Sequence, residues 1–160
     1  MLILLIHPCL RVTGQTNCVF TFGAGIPELL NVGARIQTHQ IELGITIGGF
    51  SNSAISISGN IYLHFAGSSK FSDLHPWYGK IGIDYLRGET EYDISSYDYL
   101  DVRFGRDFNF TSKIGINIEA GMAYQIYYDK VVLKQSNNFL NLDFNFELIP
   151  SLGISFFYRF

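Results

Sequence analysis

Hydrophobic and polar side chains alternate with period two through eight stretches of the chain. The longest, 113–128 (KIGINIEAGMAYQIYY), shows the pattern most fully. Ile114, Ile116, Ile118, Ala120, Met122, Tyr124, Ile126 and Tyr128 fall on one side; Lys113, Gly115, Asn117, Glu119, Gly121, Ala123, Gln125 and Tyr127 fall on the other. Successive side chains of a strand point to opposite faces, so this spacing predicts a strand with one apolar face and one small-or-polar face. Its 16 residues exceed the roughly five or six typical of strands in soluble sheets. The same alternation predicts strands at 19–25, 30–37, 40–49, 54–65, 77–87, 97–108 and 151–160. Tight turns fall at Pro27-Glu28 and Thr38-His39, a polar connection at 66–76, an acidic loop at 88–96 and a longer segment at 129–150. No helical period runs for any length, and the expected fold is all-β.

Period two does not by itself say which face meets water, because soluble and membrane barrels both alternate. The polar faces decide it. They carry Arg35, Lys80, Arg103 and Arg159 against Glu42, Asp84, Asp101, Asp107 and Glu119, diluted by Gly, Ser, Asn and Thr. Small residues with interleaved opposite charges suit the interior of a narrow eight-stranded barrel. The opposite faces hold long apolar side chains on every strand, as a lipid-contacting belt requires. With the strands running alternately up and down from a periplasmic start, Phe20, Phe65, Trp77, Phe108 and Phe160 fall at the lower rim and Tyr85, Tyr124 and Tyr128 towards the upper one. Two aromatic girdles are what interfacial aromatics form. The expectation is a closed, up-and-down, antiparallel eight-stranded transmembrane β-barrel.

Composition agrees with that reading. Charged residues make up 16% of the 160, against about a quarter in average proteins. Glycine (16), tyrosine (10) and phenylalanine (14) are plentiful. A formal charge of −3 gives no basic footprint for nucleic acid. Nowhere do about 18 apolar residues run consecutively, so no transmembrane helix is predicted. The opening MLILLIHPCLRVTGQ places a short apolar run before Val12-Thr13-Gly14, which predicts a cleaved secretory signal over 1–14 and a barrel domain over 15–160. Cys9 falls in that removed segment, which leaves Cys18 as a lone thiol. No Cys/His cluster has zinc spacing, and neither a metal site nor a cofactor is expected.

The final decamer, SLGISFFYRF, alternates to a terminal Phe160. With GAGIPELLNVGARIQ, HPWYGKIGIDYLRGETE and PSLGISFFYRF, it resembles small outer-membrane β-barrel proteins of Gram-negative, Bacteroidetes-type bacteria, similar to the outer-membrane protein A/X-like barrel. The resemblance covers nearly all of 15–160. It implies an outer-membrane location, lipid as surroundings, and recognition by the barrel assembly machinery through Phe156, Tyr158 and Phe160. It carries no enzymatic signature.

Few constellations could carry chemistry. His64 shares the polar face with Ser56, Ser58 and Tyr62, but a hydrolase needs nucleophile, base and orienting acid in mutual reach. The expected role of His64 is a hydrogen-bonded interior histidine. Tyr62, Tyr78, Tyr99, Tyr127 and Phe157 add inward bulk, which favours a closed, salt-bridged interior over a pore. The network is expected to join Arg35, Glu42, Lys80, Asp84, Asp101, Arg103, Glu119 and Arg159, with Glu119 facing Arg103 or Arg159. Functionally, the expectation is a non-enzymatic barrel with a structural, adhesive or binding role through outer loops that take an unidentified extracellular ligand. The alternatives are a small porin-like channel or transport element and, after it, a lipid-modifying barrel enzyme.

Overall fold

Eight alternating stretches joined in series by short connections pair most simply as antiparallel neighbours. In the computed structural model, which describes residues 17–50, 53–134 and 147–160, they close into one barrel. The strands are β1 (Asn17–Ile26), β2 (Leu29–Thr38), β3 (Ile41–Gly49), β4 (Ala54–Ala66), β5 (Trp77–Glu89), β6 (Asp93–Asn109), β7 (Ile114–Val132) and β8 (Leu148–Arg159). Each pairs with its sequence neighbours, and β1 pairs with β8, from Val19 opposite Arg159 to Ile26 opposite Leu152. Closure removes the two free edges that an open sheet of these strands would carry around the ring. The end carrying Asn17 and Phe160 is here called the lower end; the turns at 27–28 and 90–92 lie at the upper end.

The barrel is inverted relative to a water-soluble protein. Large apolar side chains on the outward face, such as Ile45, Ile83, Phe104, Met122 and Ile154, are between 49 and 66% exposed. The inward face buries Arg35, Glu42, Lys80, Asp84, Asp101, Arg103, Asp107, Glu119 and Arg159 together with Tyr62, Tyr78, Tyr99 and Phe157. Charged residues are almost never fully buried unless paired, so the inward face must satisfy them from within. Inward glycines make the room. A side chain at Gly48 would run into the Glu28 carbonyl oxygen and come within 2.6 Å of Ser56 Oγ; one at Gly153 would lie 2.7 Å from Arg103 Nη1.

Several expectations need correction. A β-bulge in β7 places one residue where β6 supplies none, because Tyr99 pairs with Gln125 and Asp98 with Tyr127. The extra residue, Ile126, reverses the phase above it. Tyr127 therefore points outward, 55% exposed, and Tyr128 turns inward to stack on Tyr97 with ring centroids 5.0 Å apart. Both are opposite to uninterrupted alternation. The acidic loop at 88–96 shrinks to a turn over 90–92, because β5 continues to Glu89 and β6 begins at Asp93. The Thr90 hydroxyl accepts the Asp93 backbone N–H at 3.0 Å and closes that turn. Strands β6 and β7, 17 and 19 residues long, outreach the 9- and 10-residue β1, β2 and β3, so the barrel wall stands taller on one side. Cys18 is disulfide-bonded, where a lone thiol was expected. The expected signal segment 1–14, including Cys9, and residues 135–146 of the long segment lie outside the described residues.

Gly48→Val is expected to displace the Glu28 turn and destabilise the barrel by about 1–3 kcal/mol, the usual range for overpacking. Urea unfolding in micelles, followed through the single tryptophan, Trp77, reads the change.

Candidate functional site

The interior is organised around Arg103, which β6 places on the inward face two residues from Asp101. Its Nη1 lies 3.1 Å from Glu119 Oε2, its Nε 2.8 Å from Asp101 Oδ2, and its Nη2 donates to the Ile26 carbonyl at 2.9 Å. Arg103 Nη2 also makes a short contact with Glu28 Oε2. Lys80, on the neighbouring β5, places Nζ 2.6 Å from Glu28 Oε1 and 3.2 Å from Asp101 Oδ2. Ser151 from β8 completes the cluster by donating to Asp101 Oδ1 at 2.5 Å. The planar, multiply donating guanidinium suits a site where three carboxylates converge.

Glu28 is the residue that strand periodicity misses. It belongs to the tight turn between β1 and β2, where a solvated acid is the ordinary outcome, yet it is 4% exposed. The turn folds into the upper mouth, held by a 2.6 Å hydrogen bond from Ser56 Oγ to the Glu28 carbonyl. Leu29, with φ of 62°, takes the left-handed conformation that returns the chain to β2. One signal was available: Glu28 is the only charged residue between Arg11 and Arg35.

Below this cluster, Glu119 accepts the Tyr78 hydroxyl at 2.8 Å and meets Arg35 Nη2 at 3.7 Å. Arg35 also lies 3.4 Å from Glu42 Oε2 and stacks over the Tyr62 ring at 4.0 Å. Nearer the lower end, Arg159 pairs with Asp107 at 2.8 Å rather than with Glu119, bonds Asn109, and lies over the Phe157 ring at 4.2 Å. The structure thus joins Arg35, Glu42, Lys80, Asp101, Arg103 and Glu119, and sets Arg159 in a separate pair. Asp84 does not join them. Although fully buried, it makes no ion pair, and neither carboxylate oxygen completes a hydrogen bond. Six buried carboxylates (Glu28, Glu42, Asp84, Asp101, Asp107, Glu119) face four buried cations (Arg35, Lys80, Arg103, Arg159) among the described residues.

The connection 67–76 folds over the lower mouth, where a cavity of about 270 Å³ remains beside Asn17, Gln37, Asp73, Lys113 and Arg159. Gln40 holds the connection through the Asp73 carbonyl and the His75 N–H, both at 3.0 Å, and Leu74 is buried. His64 Nδ1 lies 2.7 Å from the His75 carbonyl, which makes Nδ1 the protonated nitrogen; Nε2 faces Glu42 at 3.6 Å. Ser56, an expected neighbour of His64, is committed to Glu28 instead. The cavity among Glu28, Arg35, Lys80, Arg103 and Glu119 measures about 10 Å³, room for roughly one water.

Phe156, Tyr158 and Phe160 point outward along the lower part of β8, with Tyr158 packed edge-on against Phe160 at 5.0 Å. Comparison with protein-family models, curated proteins and solved structures finds no match to this chain.

Arg103→Met takes one cation from three buried carboxylates at once, leaving them to Lys80 and Arg35, and removal of one partner from such a site costs about 3–5 kcal/mol. The double variant Arg103→Met, Glu119→Gln is expected to recover part of that loss. Breaking the exposed Lys134–Glu91 pair is expected to leave the urea midpoint unchanged.

Proposed function

We propose that the protein is a non-enzymatic outer-membrane barrel of a Gram-negative bacterium, sealed along its axis, that acts as a structural, adhesive or binding element through its upper end. The observation that carries the reading is the inversion of the two faces. A closed ring of strands presents apolar side chains outward all the way round, while its inward charges, Asp84 apart, are paired within. In water such a surface is far larger than the few hundred Å² of contiguous apolar patch that monomers tolerate. In hydrocarbon it is the required surface, and closure satisfies every strand's backbone. Strands of 9–13 residues in β1 to β5 match the roughly 9–11 residues of a tilted crossing.

Two features favour a sealed interior over a channel. The Glu28 turn occupies the upper mouth and the 67–76 connection the lower, and the space between them is filled by the paired charges. The taller wall of β5, β6 and β7 rises beyond the short strands and offers a rigid surface at the upper end, where binding loops on a scaffold commonly act. Cation–π contacts of Arg106 with Trp77 and Phe108, both at 5.0 Å, place an outward charge among aromatics at the lower rim, as an interfacial position allows. The outward Phe156, Tyr158 and Phe160 support recognition by the barrel assembly machinery.

Reconstituted into planar bilayers, the purified protein is expected to insert and to give no conductance steps. Steps carried by the wild-type chain would overturn the sealed reading in favour of a small channel. Failure to associate with lipid or detergent at all would overturn the membrane reading itself.

A further inference from the structure

The unpartnered Asp84 is the group the interior network leaves unexplained. We propose that Glu28, Asp84 and Asp101 hold a divalent cation of the calcium type between them, in the upper part of the barrel interior.

Geometry is the first ground. One carboxylate oxygen from each residue lies within 4.8 Å of those of the other two, which is the span of oxygens bound to a single ion at about 2.3–2.6 Å. These are three different elements, the β1–β2 turn, β5 and β6, so the cluster is made by the fold rather than by a run of acids. The second ground is independent of that spacing. Asp84 is 0% exposed, and both its oxygens lack a hydrogen-bond partner. Directly across the strand register stands Ser58, whose Oγ is also buried and unpartnered. Ser58 interacts with Asp84 without completing a hydrogen bond by distance and angle; a fully buried carboxylate left so incompletely satisfied is rare, and a bound ion is one of the few explanations.

Charge points the same way. The buried carboxylates exceed the buried lysine and arginine side chains by two among the described residues, and uncompensated buried charge is strongly unfavourable. One divalent ion removes that excess. Lys80 and Arg103 already engage Glu28 and Asp101, but each carboxylate oxygen has more than one acceptor direction. Among the described residues Asp84 makes no ion pair, and Lys80 acts on it only at longer range. The donors are oxygens alone, which select hard ions such as calcium over zinc or copper.

The test uses the full chain folded in detergent micelles in the presence of either calcium chloride or EGTA, since the packed interior limits later entry. Calcium is expected to raise the unfolding midpoint by roughly 5–10 °C over EGTA. Terbium, substituted for calcium, is expected to bind one equivalent and to luminesce on tyrosine excitation, because Tyr99 lies opposite Asp84 in the register. Asp84→Asn is expected to abolish both responses, and Glu91→Gln, an exposed acid in the 90–92 turn, to keep both. An unfolding midpoint indifferent to calcium in the wild-type chain overturns the proposal. So does terbium emission that survives Asp84→Asn, or an Asp84→Asn chain that in EGTA matches the calcium-loaded wild type, because Asp84 would then be an acid relieved by neutralisation alone. Should Asp84→Asn fail to fold, the wild-type comparison and Ser58→Ala, which is expected to weaken terbium binding, decide it.

Discussion

A closed ring of eight strands encloses its inward side chains in a space too narrow for water to hydrate them, so every charge placed there must be answered by another. That constraint shapes the rest of the molecule. Arg103 and Lys80 bind three elements together because Glu28, Asp101 and Glu119 come from the first turn, β6 and β7. Ion pairs of this kind contribute modestly to net stability, since desolvation offsets much of their attraction. Their consequence is specificity: slipping any one strand by a residue would send its charges to the outward face and bring apolar residues into the network.

The same constraint explains how the connections enter the two ends. A side chain could not reach Arg103 from the short β1–β2 side without the turn itself entering the mouth, and Gly48 leaves the backbone room to do so. At the lower end the 67–76 connection uses Gln40, His64 and Asn109 as fixed points, with Asn109 donating to Ser69 Oγ at 3.2 Å. The interior is therefore a packed core made of polar groups, where a soluble barrel would use aliphatic ones. Outward, the proposed membrane location gives the apolar belt a different solvent, and nothing in the interior has to change to meet it.

Most of this architecture was legible in the chain because period two is a local signal that survives tertiary context. Ile41 to Gly49 and Ile114 to Gln125 read as two faces without any knowledge of their neighbours, and Arg35, Lys80, Arg103 and Glu119 fell on the inward face by parity alone. What parity cannot see is whatever interrupts or lies between strands. Glu28 sits in a turn, and its burial depends on Gly48 and Ser56, some twenty and twenty-eight residues away in sequence. The bulge at Ile126 shifts Tyr127 and Tyr128 by one position, and no residue type there announces it. The upper extension of β6 arises from pairing with both β5 and β7 above the short strands, so the acidic segment 88–96 reads as loop until its partners are known. Asp84 looked like any other interior acid; its isolation appears only when the neighbours of all six carboxylates are placed.

The central claim is that the outward apolar face meets hydrocarbon on all sides. Single tryptophans at Ile45, Ile83 and Ile154, on β3, β5 and β8, in a Trp77→Phe background, test it directly in vesicles containing lipids brominated at mid-chain. The account predicts strong quenching by bromine and weak quenching by aqueous acrylamide at all three positions. Acrylamide quenching without bromine quenching at any of them would show that face turned to water and contradict the account.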